Sequence, residues 1–168
     1  MALQLPITPL LLRTEMDPIS IIGTVVGLAC ACAQTAAVIK STVSRSNEQA
    51  HETLCSIYDV VAPVKGALEE LEKSIGAYHN FANEPSLQGQ IIYTVAACKS
   101  TLELLQLEMD QLGATGEGHF RLKFRLLRGK KSNIDGLLDK LQQSKANLSL
   151  LLQTFTAYAL NPRGSPLG

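Results

Sequence analysis

Few side chains in this sequence have the spacing that catalysis or metal binding requires. Glu48 and His51 stand three residues apart, which matches one carboxylate–histidine pair of the di-metal helical bundles. Those sites need two such pairs and two more inward carboxylates, whereas this pair is single and lies off the apolar stripe of its helix. Glu69, Glu70 and Glu72 flank another apolar stripe, where solvated charges are expected. We therefore predict that the protein binds no metal.

The residue types used by nucleophilic enzymes and nucleotide-binding loops are also poorly arranged. His79 and His119 show no nucleophile–base spacing with the cysteines. The run Gly129-Lys130-Lys131-Ser132 lacks the upstream glycine of a phosphate-binding loop. We predict a protein that is not an enzyme and has neither a cofactor nor a small-molecule substrate.

Four cysteines lie in apolar stretches, at positions 30, 32, 55 and 98. None of them shows the paired short spacing of zinc sites or of secreted disulfide frameworks. The prediction is four buried, reduced thiols in a cytoplasmic protein.

The composition favours helices. The chain has 168 residues, enough for one domain, and 46% of them are hydrophobic, enough for one core. Aromatic residues make up only 5% and tryptophan is absent, while leucine and alanine abound. The fold class expected from this balance is all-α.

The chain is expected to consist of a leader, a domain and a tail. Residues 1–15 contain Pro6 and Pro9 and have no basic residue before Arg13, so they lack the charged start of a signal peptide. Met16 would itself make a natural beginning, which leaves open which methionine starts the chain. We assign residues 1–15 to a loose leader, 16–160 to the domain and 161–168 to a disordered tail.

The first helix is predicted to run from Pro18, with Asp17 as its N-cap, to about Val43. From Ile19 to Ile39 no residue is charged, and apolar side chains surround the axis. Such a helix is either central to a bundle or inside a bilayer, and its length fits both. The candidates for membrane contact are Ile19, Ile22, Val25, Val26 and Leu28.

The same helix carries small residues at spacings of four: Gly23, Gly27 and Ala31. A strip of this kind lets another helix backbone approach closely, in a membrane or in a tight bundle. We predict close packing at these three positions.

Three further helices show apolar residues at heptad spacing. The second should run from about Ser46 to His79, with a bend caused by Pro63. After a loop over Asn80 to Gly89, the third should end at Gly113. The last should begin after Ser132 or Asn133 and stop at Asn161-Pro162. The predicted seams are Leu54, Ile57, Val61, Val64, Leu68, Leu71, Ile75 and Tyr78; Ile91, Val95, Cys98, Leu102, Leu105, Met109 and Leu112; and Ile134, Leu137, Leu141, Ser144, Leu148, Leu151, Phe155 and Tyr158.

The stretch from Phe120 to Leu127 fits a short helix or a strand, and we choose the helix. Four long helices plus one short helix pack most economically as an up-and-down bundle. The predicted architecture is therefore an all-α, mainly antiparallel helical bundle.

One stretch of the chain is basic without any acidic residue. It can attract anionic lipid head groups, each cation contributing about 1 kcal/mol, or it can be a solvated face. Nucleic acid is a poorer explanation, since the chain is neutral overall and Phe120 and Phe124 are expected on a buried face. The candidates for anionic-lipid contact are Arg121, Lys123, Arg125, Arg128, Lys130 and Lys131.

Two stretches resemble the HeLo-like N-terminal domain of fungal STAND proteins, which usually precedes NACHT or ankyrin-repeat regions. The opening match is Met16-Asp17-Pro18-Ile19-Ser20-Ile21, followed by Gly23, Gly27 and Leu28. The closing match comprises Arg121-Leu122-Lys123-Phe124, Lys130-Lys131, Ile134, Leu137-Leu138, Leu141, Lys145, Leu148 and Leu150-Leu151. The resemblance covers roughly residues 16–160 and implies a helical bundle for signalling that can end in membrane targeting and regulated cell death. It carries over no catalytic residues.

The sequence departs from the family pattern because it stops at Gly168 without nucleotide-binding or repeat modules, and because fifteen residues precede Met16. Our leading hypothesis is a cytoplasmic signalling domain, peripheral at a membrane, whose first helix and basic stretch engage anionic lipid. The rival is a scaffold that uses its heptad seams to pair with itself or with partner helices. A single-pass membrane or exported protein is the weakest option, since Asp17 and the lack of a basic flank oppose it.

Overall fold

A computed structural model describes residues 17–46, 48–111 and 124–161. Of the described residues 93% are helical and none forms a strand, which confirms the all-α bundle. The elements are α1 (Pro18–Val43), α2 (Glu48–Ala77), a 3₁₀ turn (Phe81–Asn83), α3 (Pro85–Gln111) and α4 (Phe124–Leu160).

Helix α1 begins and ends where the sequence predicts. The Asp17 carboxylate accepts a hydrogen bond from the Ile19 amide at 3.4 Å. Pro18 occupies the first helical position, where its missing N–H leaves no acceptor unpaired. These local signals alone define the start of α1.

The connection between α2 and α3 is shorter than predicted. The expected loop extends to Gly89, but α3 already begins at Pro85. Proline fits the first turn of a helix, and the side-chain amide of Gln88 donates a 2.8 Å hydrogen bond to the Phe81 carbonyl. This bond ties the first turn of α3 to the preceding 3₁₀ turn, so the predicted loop end was wrong.

The predicted start of the last helix at Ser132 or Asn133 was also wrong. Helix α4 starts at Phe124 and includes the second half of the stretch assigned to a separate short helix. Gly129 is a weak helix former, at a cost of about 1 kcal/mol, but no proline interrupts this stretch. The predicted turn at residues 113–118 and the start of the short helix at Phe120 lie outside the described residues.

The three heptad seams form the core. Every predicted seam residue that the structure describes is buried, except Tyr78, which is half-buried, and Tyr158, which is 38% exposed. Helix α1 adds its own buried face to this core. Its buried hydrophobic members are Ile21, Val25, Leu28, Ala29, Cys32, Ala36 and Ile39.

Around the bundle the helices follow the order α1, α2, α4, α3, and the contact between α3 and α1 is the least extensive of the four. Successive helices run antiparallel, as predicted. The Gln106 amide donates to the Thr35 hydroxyl at 2.8 Å, near the carboxyl ends of α3 and α1. Tyr78, just after α2, contacts Phe155 near the end of α4, with ring centroids 6.1 Å apart. Two antiparallel hairpins therefore lie side by side, with α1 parallel to α3 and α2 parallel to α4.

Candidate functional site

Helix α1 carries no charged residue before Lys40, is part of the bundle and presents two different faces. Its larger aliphatic side chains turn inward; Val25 is fully buried and Leu28 is 4% exposed. The surface named here the outer face of α1 consists of exposed residues with no charge among them. Its apolar or small members are Ile19, Gly23, Gly27, Cys30 and Ala37, and its polar members are Ser20, Thr24, Gln34 and Ser41. By length and composition α1 alone among the described helices could span a bilayer, a test that core helices of soluble proteins also pass.

The five candidates for membrane contact are thus not on one surface. Ile19 is 74% exposed, Ile22 and Val26 are half-buried, and Val25 and Leu28 belong to the core. Lipid can reach Val25 and Leu28 only if α1 leaves its neighbours α2 and α3. The sequence alone did not separate the inner from the outer positions because nearly all of them are apolar or small.

The predicted close packing at Gly23 and Gly27 was wrong for this bundle. A methyl group added to either glycine would meet nothing within 4 Å, and both residues are exposed. The reason is that packing of Val25 and Leu28 against the core turns the two glycines outward. Ala31 is partly buried against the core. The glycine strip therefore leaves an open surface on which another helix could lie.

The basic stretch is only partly available for lipid. Arg121 and Lys123 lie outside the described residues, and Arg125 and Arg128 lie in the first turns of α4. Lys131 is exposed. The Lys131 side chain is therefore open to solvent and remains a candidate for contact with anionic lipid.

Lys130 was a candidate for lipid contact, but in the structure its side chain is engaged within the bundle. Its ammonium forms an ion pair with Glu108 at 2.8 Å and a hydrogen bond with the Gln111 side chain. The two charged side chains are only 21% and 19% exposed. Lys130 thus holds the start of α4 against the end of α3.

The topology places the basic stretch and Ile19 at opposite ends of the bundle. Helix α4 begins where α3 ends, and α1 ends there too because it runs parallel to α3. At this end Lys40 lies over the Tyr58 ring, 5.3 Å from its centroid. With 26 residues, α1 is about 39 Å long. A flat membrane that meets the basic stretch of the closed bundle end-on therefore meets the carboxyl end of α1, far from Ile19.

The four cysteines differ in how deeply they are buried. Burial raises the pKa of Cys32 to about 12, with a further contribution from nearby Cys98, and burial raises the pKa of Cys98 to about 11. Both thiols are buried, as predicted, whereas Cys55 is half-buried. The prediction was wrong for Cys30, which is exposed on the outer face of α1. Because the thiolate is the nucleophile, we expect Cys32 and Cys98 to react slowly in the folded state.

Two of the clefts that described residues line lie between neighbouring helices. One, of about 200 Å³, flanks the Thr35–Gln106 hydrogen bond between α1 and α3. The other, of about 460 Å³, lies between α2 and α4 and is lined by Asp59, Lys145 and four neighbours. The hydroxyls in these linings, Thr35 and Ser149, donate to the carbonyls of Ala31 and Lys145 in their own helices and not to a side-chain base. In the described part of the chain, no three His, Cys, Asp or Glu side chains are grouped as a metal would require.

Helix α3 presents a second, largely apolar surface that was not predicted from the sequence. Tyr93, Leu104 and Leu107 are 77%, 50% and 52% exposed on α3. With Ala97 and Ser100 they recur at steps of four and three on the side of α3 that faces solvent. We call these five residues the outer stripe of α3. Its signal was a second heptad-like pattern that runs beside the core seam.

Comparison with protein-family models, with curated proteins and with solved structures finds no match for this chain.

Proposed function

We propose that this chain is a non-enzymatic signalling domain of the HeLo-like type seen in fungal STAND proteins, and that it acts through α1 at an anionic membrane. The observation that carries the proposal is the outer face of α1, which is solvent-exposed yet uncharged along nearly the whole helix. A surface helix of a globular protein normally places charged and polar residues on its solvent side. The outer face of α1 has neutral polar residues but no charged one, so covering it with lipid or with another helix removes no charge from water.

Membrane engagement in this proposal has two steps at the two ends of the bundle. Arg125, Arg128 and Lys131 attract anionic head groups, at about 1 kcal/mol for each cation near the surface. Helix α1 then separates from α2 and α3 and enters the hydrocarbon. Ion pairs do not hold it back, since the described ion pairs join other parts of the bundle.

The energetic cost of releasing α1 explains why such a step would be coupled to association. Val25 and Leu28 remain out of water when they move from the core to lipid, so their own transfer costs little. The α2 and α3 residues left behind lose their cover, at about 1.5–3 kcal/mol for each fully exposed large aliphatic side chain. Pairing of the opened domain with a second copy would bury these residues again. A cytoplasmic domain peripheral at the membrane, acting in regulated cell death, fits this behaviour.

Flotation with liposomes, with and without anionic lipid, tests the proposal. We expect the wild-type chain to float with anionic liposomes only. Gly27→Glu should reduce flotation at least about tenfold, since a charge at the centre of a membrane helix costs about 3 kcal/mol. The open space around Gly27 allows this variant to keep its fold, which circular dichroism verifies. Charge reversal of Arg121, Arg125 and Arg128 should abolish flotation.

Gln153→Glu is the matched control, because it introduces the same charge at an exposed position of α4. It should float like the wild type. A wild-type chain that ignores lipid, or a Gly27→Glu variant that floats as well as Gln153→Glu, would refute the membrane step. The heptad seams that the rival scaffold would use are buried inside the bundle, so pairing through them would require the bundle to open.

A further inference from the structure

The outer stripe of α3 is uncharged, is apolar except at Ser100, and is not covered by any other described element. From Tyr93 to Leu107 it extends for about 21 Å along the helix. Single exposed leucines are ordinary on protein surfaces, but five uncharged residues in register form a continuous strip. The only charged residues of α3 between these ends are Lys99 and Glu103, which lie beside the stripe and are themselves exposed, with 3.9 Å between ammonium and carboxylate.

Residues 1–16 have the composition to cover such a strip. The first twelve residues carry no charge. The seven residues that follow Asn161 contain a single leucine and no other large apolar residue. The large aliphatic residues of the N-terminal segment are Leu3, Leu5, Ile7, Leu10, Leu11 and Leu12.

The position of Asp17 brings this segment within reach of the outer stripe. Asp17 precedes α1, and α1 lies beside α3 and parallel to it, so the segment is attached at the end of the bundle where α3 begins. Sixteen residues span at most about 50 Å. Leu107 is 22 residues beyond Pro85, about 33 Å along the helix axis. The segment is therefore long enough to cross from α1 to α3 and follow the whole outer stripe.

We propose that residues 3–12 pack, within the same molecule, along the outer stripe of α3. The tether favours this occupant over a second copy, because an attached segment is present at an effective concentration in the millimolar range. The inference is independent of membrane binding, since α3 and not α1 carries the surface.

Trypsin cleavage after Arg13 tests this packing in the full chain, in buffer without lipid. Protection should depend on the population of the undocked segment. We expect slow release of residues 1–13 from the wild type and release about tenfold faster from Leu104→Ser/Leu107→Ser. Both leucines are half exposed in the bundle, so the double variant should keep its helical circular dichroism. Leu150→Ser, at a leucine of α4 that is 59% exposed, is the control and should cleave like the wild type.

Thermal unfolding gives a second, thermodynamic test. Removal of residues 2–15 and the double serine change should each lower Tm by about 5 °C, and the combined variant should lose no more than either alone. Additive losses, or equal cleavage of the wild type and the double variant, would overturn the proposal. So would protection that rises with protein concentration, since the stripe would then bind a second copy.

Discussion

At the residue scale, α1 places two cysteines with opposite surroundings only two positions apart. Cys32 points into the core beside Cys98, whereas Cys30 belongs to the outer face of α1. Two residues along a helix are separated by about 200°, so neighbours at this spacing face opposite sides. Burial acts on the thiol by disfavouring its charged form, which is why its pKa rises.

This difference predicts the labelling pattern of the thiols. At pH 8, iodoacetamide should modify Cys30 rapidly and Cys55 more slowly. Its reaction with Cys32 and Cys98 should be at least a hundredfold slower than its reaction with Cys30, because burial raises the pKa of both thiols. Peptide mass spectrometry after timed labelling measures the four rates. In guanidinium chloride all four should react alike. Native labelling of Cys32 as fast as that of Cys30 would contradict the packing of α1.

At the element scale, α4 is a 37-residue helix that contains Gly129 and Gly136. Both glycines are exposed, and neither has an atom within 4 Å of the position a methyl group would take. No turn or close approach requires glycine there. The helix therefore carries a backbone entropy cost that its packing does not need.

Gly136→Ala should stabilise the protein by about 0.5–1 kcal/mol, because alanine restricts the unfolded chain and favours the helix. Urea unfolding followed by circular dichroism measures this change as a higher midpoint with an unchanged slope. Gly136→Pro is the contrasting variant and should destabilise by about 3 kcal/mol or more. A neutral or destabilising alanine would mean that α4 is not continuous at this point.

The helices also show which features of the fold can be predicted from sequence patterns and which cannot. Heptad spacing identified the seams because a residue such as Leu141 has one apolar side and polar neighbours. The start of α4 was missed because Gly129 and Asn133 weaken a helix without ending it, and the contact of Lys130 with Glu108 joins residues 22 positions apart. The direction of Gly23 was missed because α1 has no charged residue before Lys40 to mark the side that faces solvent.

At the scale of the whole molecule, the arrangement of two hairpins fixes which features share an end of the bundle. Lys131 lies at the same end as the carboxyl-terminal part of α1, and Ile19 lies at the other end. Ile19 and Ala37 are 18 residues apart, about 27 Å along α1. The membrane proposal depends on this topology, since it separates the charged contact from the start of the apolar helix.

Spin-label distances test the topology directly. With Cys30→Ser and Cys55→Ala as background, the pair Ala37→Cys and Lys131→Cys should be closer than the pair Ile19→Cys and Lys131→Cys by more than about 10 Å. All three labelled positions are exposed, so the labels should not disturb the core. Pulsed electron resonance measures both distances. Equal distances, or the reverse order, would show that α1 and α3 are not parallel.

The order of the helices around the bundle also has a consequence for how the chain finds its fold. The two antiparallel pairs join helices that follow each other in the chain, and only four residues separate Val43 from Glu48 in the first pair. Short closures cost little chain entropy, and contacts that are local in sequence form quickly. The parallel pairs arise only when one finished hairpin meets the other across residues 78–84. The slow event expected in folding is thus the collision of two preformed halves, and the aromatic contact between Tyr78 and Phe155 is made at that moment.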